Sequence, residues 1–274
     1  MNLRPNPQTF SSIYRESVAQ IMDLLPSDLS AIAKHNVGWR TGNFDPRGYL
    51  VDSEKRYQKA LQVIGATGAR RVLDVGGFLA AFPLTLARLG YSVAIAEKFD
   101  YYNHALDRIA EYVSANGVEV IDADFTEPPT AVTAAAGGFD VVTCMAVAEH
   151  LAHTPRFLLE NINAALSSRG SLVFEVPNLA FWPRRAAFFL KGSSVHSPIS
   201  DVYHSAVPFT GHHREYTLAD ARYVADQAGF EVVAEQTFNY SLKTNELSTL
   251  LKYAPAFLIK GCAEVLLLHC RKRA

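Results

Sequence analysis

The sequence has no apolar run of the ~18–20 residues that a membrane-spanning helix needs. Its start, MNLRPNPQTFSSIYRES, lacks the apolar core of a secretory signal. Cysteine is scarce: Cys144, Cys262 and Cys270 show neither metal-ligand spacing nor an even framework for disulfides. These absences lead to the expectation of a reduced, cytoplasmic protein. Strong charge of one sign is missing too. Net charge is −1, and basic residues cluster only in short groups, at Arg70-Arg71, Arg184-Arg185 and Arg271-Lys272-Arg273. That balance speaks against nucleic acid as a partner. There is no internal repeat and no low-complexity segment. What remains is ordinary in bulk: 274 residues, 49% hydrophobic and 19% charged, the mix of an α/β protein.

Helical periodicity runs from about Phe10 to Ile32, with apolar positions at Ile13, Val18, Ile21, Leu24 and Leu25. A polar stretch follows. DSEKRYQKALQVIG then reads as a helix capped by Asp52 and closed by Gly65. From Arg70 the pattern changes to short apolar runs alternating with helices. The strands are RVLDVGG, YSVAIAE, VEVIDAD, FDVVTCMA and SLVFEVPN, then EVVAEQTFN and AEVLLLHCRK. Near-continuous apolar strands alternating with helices indicate a parallel sheet covered on both faces. The expected fold is a doubly wound, mostly parallel, seven-stranded α/β sheet. It would comprise a helical lid over residues 1–65 and a domain over 66–274, with an insertion at about 178–214 after the fifth strand.

Ligands on such sheets bind beyond the carboxyl ends of the strands. There the sequence places Asp74, Gly76 and Gly77, then Glu97, then Asp124 and Phe125, then Met145 with Glu149 and His150 beyond it. Glu97 follows Asp74 at about the interval that puts an acid on a ribose hydroxyl. Asp124 is placed to accept from adenine's amino group, with Phe125 beside the base. The turn decides between two nucleoside-bearing ligands. A dinucleotide turn presses glycine backbone against a pyrophosphate. Here that place is Phe78, followed by Ala80. S-adenosylmethionine carries no phosphate and is easier to reconcile with side chains there.

These motifs resemble those of class I S-adenosylmethionine-dependent methyltransferases. VLDVGG resembles the first motif, Glu97 the ribose acid, DADF the adenine-side acid, and FDVVTCMAVAEHL the fourth-strand segment. REYTLADARYVADQAGFEVV resembles the late helix and sixth strand. The resemblance spans about residues 66–240 and departs from the pattern at Phe78 and Ala80, where the family has glycine. It implies S-adenosylmethionine as cofactor and a small-molecule acceptor.

Methyl transfer to an alcohol benefits from a base. The candidates are His150, with Glu149 beside it, and His212 in GHHREYT, ahead of a helix capped by Thr217 and Asp220. No metal is expected, because no ligand pair sits at fixed helical spacing. Trp182, Tyr203 and Phe209 of the insertion could stack on a sugar or pack as a flap. FWPRRAAFFLKG, within 181–192, also suits contact with a membrane surface. Trp39, Arg40 and Tyr49 could close over the cofactor. The flap and the HHREYT segment resemble bacterial methyltransferases of glycan and secondary-metabolite pathways, which implies O-methylation of a sugar-like hydroxyl. Two alternatives stay open: a quinone or lipid acceptor, and a non-catalytic cofactor-binding scaffold. The oligomeric state, monomer or homodimer, also stays open.

Overall fold

The computed structural model describes residues 6–33, 45–130, 137–193, 199–205, 207–242 and 247–273. Trp39 and Arg40 lie outside these residues. The strands are β1 (Arg71–Val75), β2 (Ser92–Glu97), β3 (Val118–Asp122), β4 (Phe139–Met145), β5 (Leu166–Pro177), β6 (Phe230–Phe238) and β7 (Val265–Lys272). They form one sheet in the order β3-β2-β1-β4-β5-β7-β6. Pairs from β3 through β5 are parallel, and β7 runs antiparallel between β5 and β6. The doubly wound sheet expected from the sequence is the sheet observed.

Alternation along the strands sorts the core into two layers. Val72, Val93, Ile95 and Val141 share one hydrophobic cluster with α1 (Pro7–Leu24), α3 (Pro46–Thr67), α4 (Ala81–Arg88) and α5 (Asp107–Ala115). Leu73, Ala94, Val142 and Leu172 belong to a second cluster with α6 (Arg156–Ala165) and α9 (Leu218–Gln227). The N-terminal helices belong fully to this core. Phe10, Tyr14 and Ile21 of α1 and Leu50 and Ile64 of α3 are buried with the sheet. The boundary expected after residue 65 falls inside α3.

Three helix ends differ from the sequence reading. α3 begins about two turns earlier than Asp52: Asp45 caps it by accepting the Gly48 N–H at 2.9 Å, and Pro46 fills the first turn. Gly65 lies within α3, and Gly68, at φ 72°, ends it. The first helix stops at Leu24, just ahead of Pro26, and Ile32 belongs to a separate turn, α2 (Ser30–Ala33). Thr217 and Asp220 form the expected capping box of α9. The insertion carries α7 (Trp182–Lys191) and α8 (Ile199–Tyr203), and α7 packs on α10 (Leu247–Leu258). Among the described residues no helix is long and apolar enough to cross a membrane.

Candidate active site

Charge is concentrated at the carboxyl edge of the sheet. Among the described residues, the buried ionisable side chains there are Asp74, Glu97, Glu149, Glu175 and Glu215 against the guanidinium of Arg56. An excess of carboxylates in a low-dielectric cleft suits a cationic ligand.

Asp74 is the penultimate residue of β1, at 4% exposure, and Thr143 of β4 donates its hydroxyl to Oδ1 at 2.5 Å. Burial pushes the Asp74 carboxyl up to about 7, against the Thr143 bond and with Glu97 adding to the rise. The chain leaves β1 through Gly76, at φ 72°, whose N–H donates to the Ala96 carbonyl at 2.9 Å. A Cβ at Gly76 would come within 2.4 Å of Val147, and one at Gly77 within 2.7 Å of both Asp74 Oδ2 and Ile95. Close packing therefore demands both glycines.

Phe78 and Ala80 keep the left-handed backbone that glycine favours, at φ 49° and 57°. The substitution changes the surface of the turn and leaves its path intact. The Phe78 N–H donates to Glu97 Oε2 at 2.9 Å, and its ring packs on Tyr49 and Tyr102, with centroids at 5.9 and 5.6 Å. Ala80 is fully buried. Glu97 is held at both oxygens, by Phe78 N–H and by Lys98 N–H at 3.1 Å. Burial raises its carboxyl to about 7 against those two bonds.

Asp124 lies two residues past β3. Its Oδ1 accepts the Thr126 N–H at 2.8 Å and the Thr126 hydroxyl at 2.6 Å, and Tyr101 donates its hydroxyl to Oδ2. Burial opposes ionisation, but these bonds outweigh it and hold the Asp124 carboxyl below the usual range. The ring expected at the base plane, Phe125, is 2% exposed and packed into the second core cluster. Asn161 of α6 donates to the Phe125 carbonyl at 2.9 Å, on the covered side of the sheet. The exposed ring beside Asp124 is Tyr101. Met145, at the end of β4, is also mostly buried.

Beyond β4 the chain turns at Ala146, whose N–H donates to the Glu175 carbonyl at 3.0 Å. Ala148–His150 then form one 3-10 turn. The HHREYT segment is bound to this turn, with His213 N–H donating to the Glu149 carbonyl at 2.7 Å. Residues some sixty positions apart are thereby gathered (separation 60 for His150 and Thr210). The His150 and His212 rings meet edge to face at 4.8 Å, and His212 Nε2 lies 3.9 Å from Glu149 Oε1. His212 Nδ1 donates to Glu215 Oε1 at 2.8 Å, and Glu215 pairs with Arg184. Burial pushes His212 down to about 3, helped by His150 and Arg184, so the ring is neutral at physiological pH. Burial pushes the Glu149 carboxyl up to about 8.

The structure thus brings Glu149, His150 and His212 together, and sets Asp74, Gly76, Gly77 and Glu97 around the first turn. It adds residues that sequence reasoning missed. Arg56 of α3 donates Nε to Glu175 Oε2 at 2.7 Å, joining the helix to the end of β5. Glu175 had a visible signal, a lone acid inside SLVFEVPN; Arg56 had none. Trp182 is tied down by a bond from its indole N–H to the Lys252 carbonyl at 3.3 Å, which favours packing over substrate stacking. Tyr203 is 80% exposed, and Phe209 packs on His213. A cleft of about 340 Å³ between α1 and α3, lined by Phe10, Gln58 and Leu61, is made by the two N-terminal helices and includes none of these groups.

The strand order, the reversed seventh strand, and a glycine turn followed by an acid at the next strand end define the class I S-adenosylmethionine-dependent methyltransferases. A family model described as a methyltransferase domain matches residues 26–235, and the chain belongs to that family. Solved structures carry the same fold. The magnesium protoporphyrin IX methyltransferase of Synechocystis PCC 6803, with bound S-adenosylhomocysteine, aligns at TM-score 0.53 and 13% identity, over 84% of this chain and 88% of that one. N-methyltransferase NodS of Bradyrhizobium japonicum WM9, also with S-adenosylhomocysteine, aligns at 0.52 and 14%, over 97% and 99%. An S-adenosylmethionine-dependent methyltransferase of Mesorhizobium loti aligns at 0.53 and 14%, over 81% and 98%. No curated protein sequence matches the chain. S-adenosylmethionine is the cofactor, and the donor set fits it: carboxylates at the strand ends and, at Phe78, a side chain where a pyrophosphate would need bare backbone.

Proposed function

We propose that the chain transfers the methyl group of S-adenosylmethionine to a hydroxyl of a small, sugar-like acceptor. In this reading Glu97 takes the ribose hydroxyls, Asp124 the adenine amino group, and the Asp74–Gly76–Gly77 turn the amino-acid end. Met145 and Phe125 support that surface from the core. The observation that carries the acceptor class is geometric: the His150 and His212 rings meet at 4.8 Å, and His212 Nε2 lies 3.9 Å from the buried Glu149 beside the cofactor turn. Val147, two residues before Glu149, packs against Gly76, so the cluster adjoins that turn. As the acceptor oxygen bonds to the methyl carbon, the carbon–sulfur bond breaks and its electron pair stays on sulfur. The hydroxyl proton passes to His212, or to His150 beside it. A neutral amine would need no base to start the attack.

A radiolabelled methyl-transfer screen over sugars, phenols and amines tests this. Label in a sugar hydroxyl is the expected result, and label in amines alone refutes it. Binding of S-adenosylhomocysteine without transfer to any acceptor favours the scaffold alternative.

One observation favours a lipid or quinone acceptor at a membrane surface. Phe188, Phe189 and Leu190 of α7 are 59%, 87% and 74% exposed, next to Arg185 and Lys191. Co-sedimentation with anionic vesicles, wild type against Phe188→Ser/Phe189→Ser, checks it. No wild-type binding removes this reading.

A further inference from the structure

We propose that Glu149, His150 and His212 form a binding site for one divalent transition-metal ion of the zinc, manganese or iron class. A carboxylate oxygen of Glu149 and a ring nitrogen of each histidine all lie within 4.8 Å of one another. Two imidazoles and one carboxylate suit borderline first-row ions better than magnesium or calcium, which prefer all-oxygen sites. Three protein ligands leave coordination positions open for a further group.

Two independent features support ligation. Glu149 is fully buried, and neither of its carboxylate oxygens has a hydrogen-bond partner among the described residues. Burying a carboxylate that way is strongly unfavourable, and a cation at Oε1 removes the penalty. The histidines are also tethered as metal ligands are. His150 donates Nδ1 to the Thr210 carbonyl at 3.1 Å, and His212 donates Nδ1 to Glu215 at 2.8 Å. Each bond fixes the tautomer with its lone pair on Nε2, and the second is a carboxylate–histidine–metal arrangement. Arg184 holds Glu215 in turn.

The gap to close is small. His212 Nε2 and Glu149 Oε1 stand 3.9 Å apart. Two ligands about 2.0–2.2 Å from a tetrahedral ion stand about 3.4 Å apart, so a movement of roughly half an ångström completes the pair. The site rests on this geometry alone. Its use in methyl transfer, where the ion would acidify a bound hydroxyl in place of proton transfer to either ring, rests on the hydroxyl-acceptor reading above.

Titration of the full chain with Co²⁺, followed by its visible ligand-field bands, tests the site, with equilibrium dialysis against Zn²⁺ for stoichiometry. One ion per chain is expected for the wild type. Glu149→Gln and His212→Ala abolish binding, and Glu215→Gln weakens it by about 10–100-fold. His153→Ala, exposed and outside the cluster, leaves it unchanged. Calorimetry with S-adenosylhomocysteine shows that each variant keeps its fold and tests the cofactor reading separately. No saturable Co²⁺ binding by the wild type overturns the proposal. So does equal affinity in Glu149→Gln and His212→Ala. Metal binding with no transfer to any hydroxyl upholds the site and sinks the acceptor reading.

Discussion

Replacing Arg56 with Met tests how α3 is held against the strand ends. Arg56 and Glu175 are 2% and 1% exposed and meet at 2.7 Å. At an effective dielectric near 20, that separation gives an attraction of about 6 kcal/mol. Much of it offsets the desolvation of two ions. The guanidinium also lies over the Tyr240 ring, 5.0 Å from its centroid. Methionine keeps most of the stem but leaves Glu175 buried and unpaired, and Glu175 Oε1 has no hydrogen-bond partner among the described residues. Removing one side of such a pair costs about 3–5 kcal/mol. For a domain of this size the melting temperature should fall by about 6–20 °C.

The pH dependence follows from the carboxyl left behind. Burial already raises Glu175 above the ordinary range, and Arg56 opposes that rise. Without Arg56 the folded-state pKa climbs further above the unfolded value. The folded protein then binds more protons than the unfolded chain, so stability falls as pH rises through that interval. Urea melts at about pH 5 and about pH 8 should show the larger deficit at the higher pH. Adding Glu175→Gln to Arg56→Met removes the buried charge and should restore part of the loss. A deficit under about 1 kcal/mol in Arg56→Met, in the range of an exposed pair, refutes the ion pair as the link between helix and sheet. Failure of the double variant to recover refutes it too.

Glu97→Gln should weaken S-adenosylhomocysteine binding by about 10–100-fold, the scale of one or two charged hydrogen bonds. Glutamine has one oxygen for two backbone donors, Phe78 and Lys98. Unchanged affinity by calorimetry removes Glu97 from the ribose. Asp74 and Glu97, both raised to about 7, bind protons in the folded state that the unfolded chain has released. Stability of the cofactor-free protein should therefore fall between the ordinary carboxylate range and about pH 7. Thermal melts against pH check this; a rise over that interval contradicts it. His150→Ala or His212→Ala should lower turnover by ~10²–10⁴-fold with cofactor affinity kept. Full activity in both variants rejects proton transfer by either ring.

The sequence by itself determined the sheet. Period-two alternation and near-continuous apolar strands admit few arrangements once helices must cover both faces, and each run ends in a residue that stands at the carboxyl edge. The positions of Asp74, Gly76, Gly77 and Glu97 were legible for that reason: they stand at or just past the ends of β1 and β2. Helix ends were less legible. Asp45 and Asp52 are both acceptable caps, and the choice fell to Pro46 in the first turn and the burial of Leu50. Phe125 shows the limit of reading faces, since which side of β3's end carries a ring depends on α6 packing there. The Glu149–His150–His212 cluster belongs wholly to the tertiary structure. Its members come from two loops whose spacing carries no ligand signature. They meet because the Glu149 carbonyl accepts the His213 N–H, and Asn178 at the end of β5 pairs with Tyr216. Contacts of that kind fix which side chains share a low-dielectric space, and that space sets the charge of Glu149 and His212. Periodicity in the chain cannot encode it.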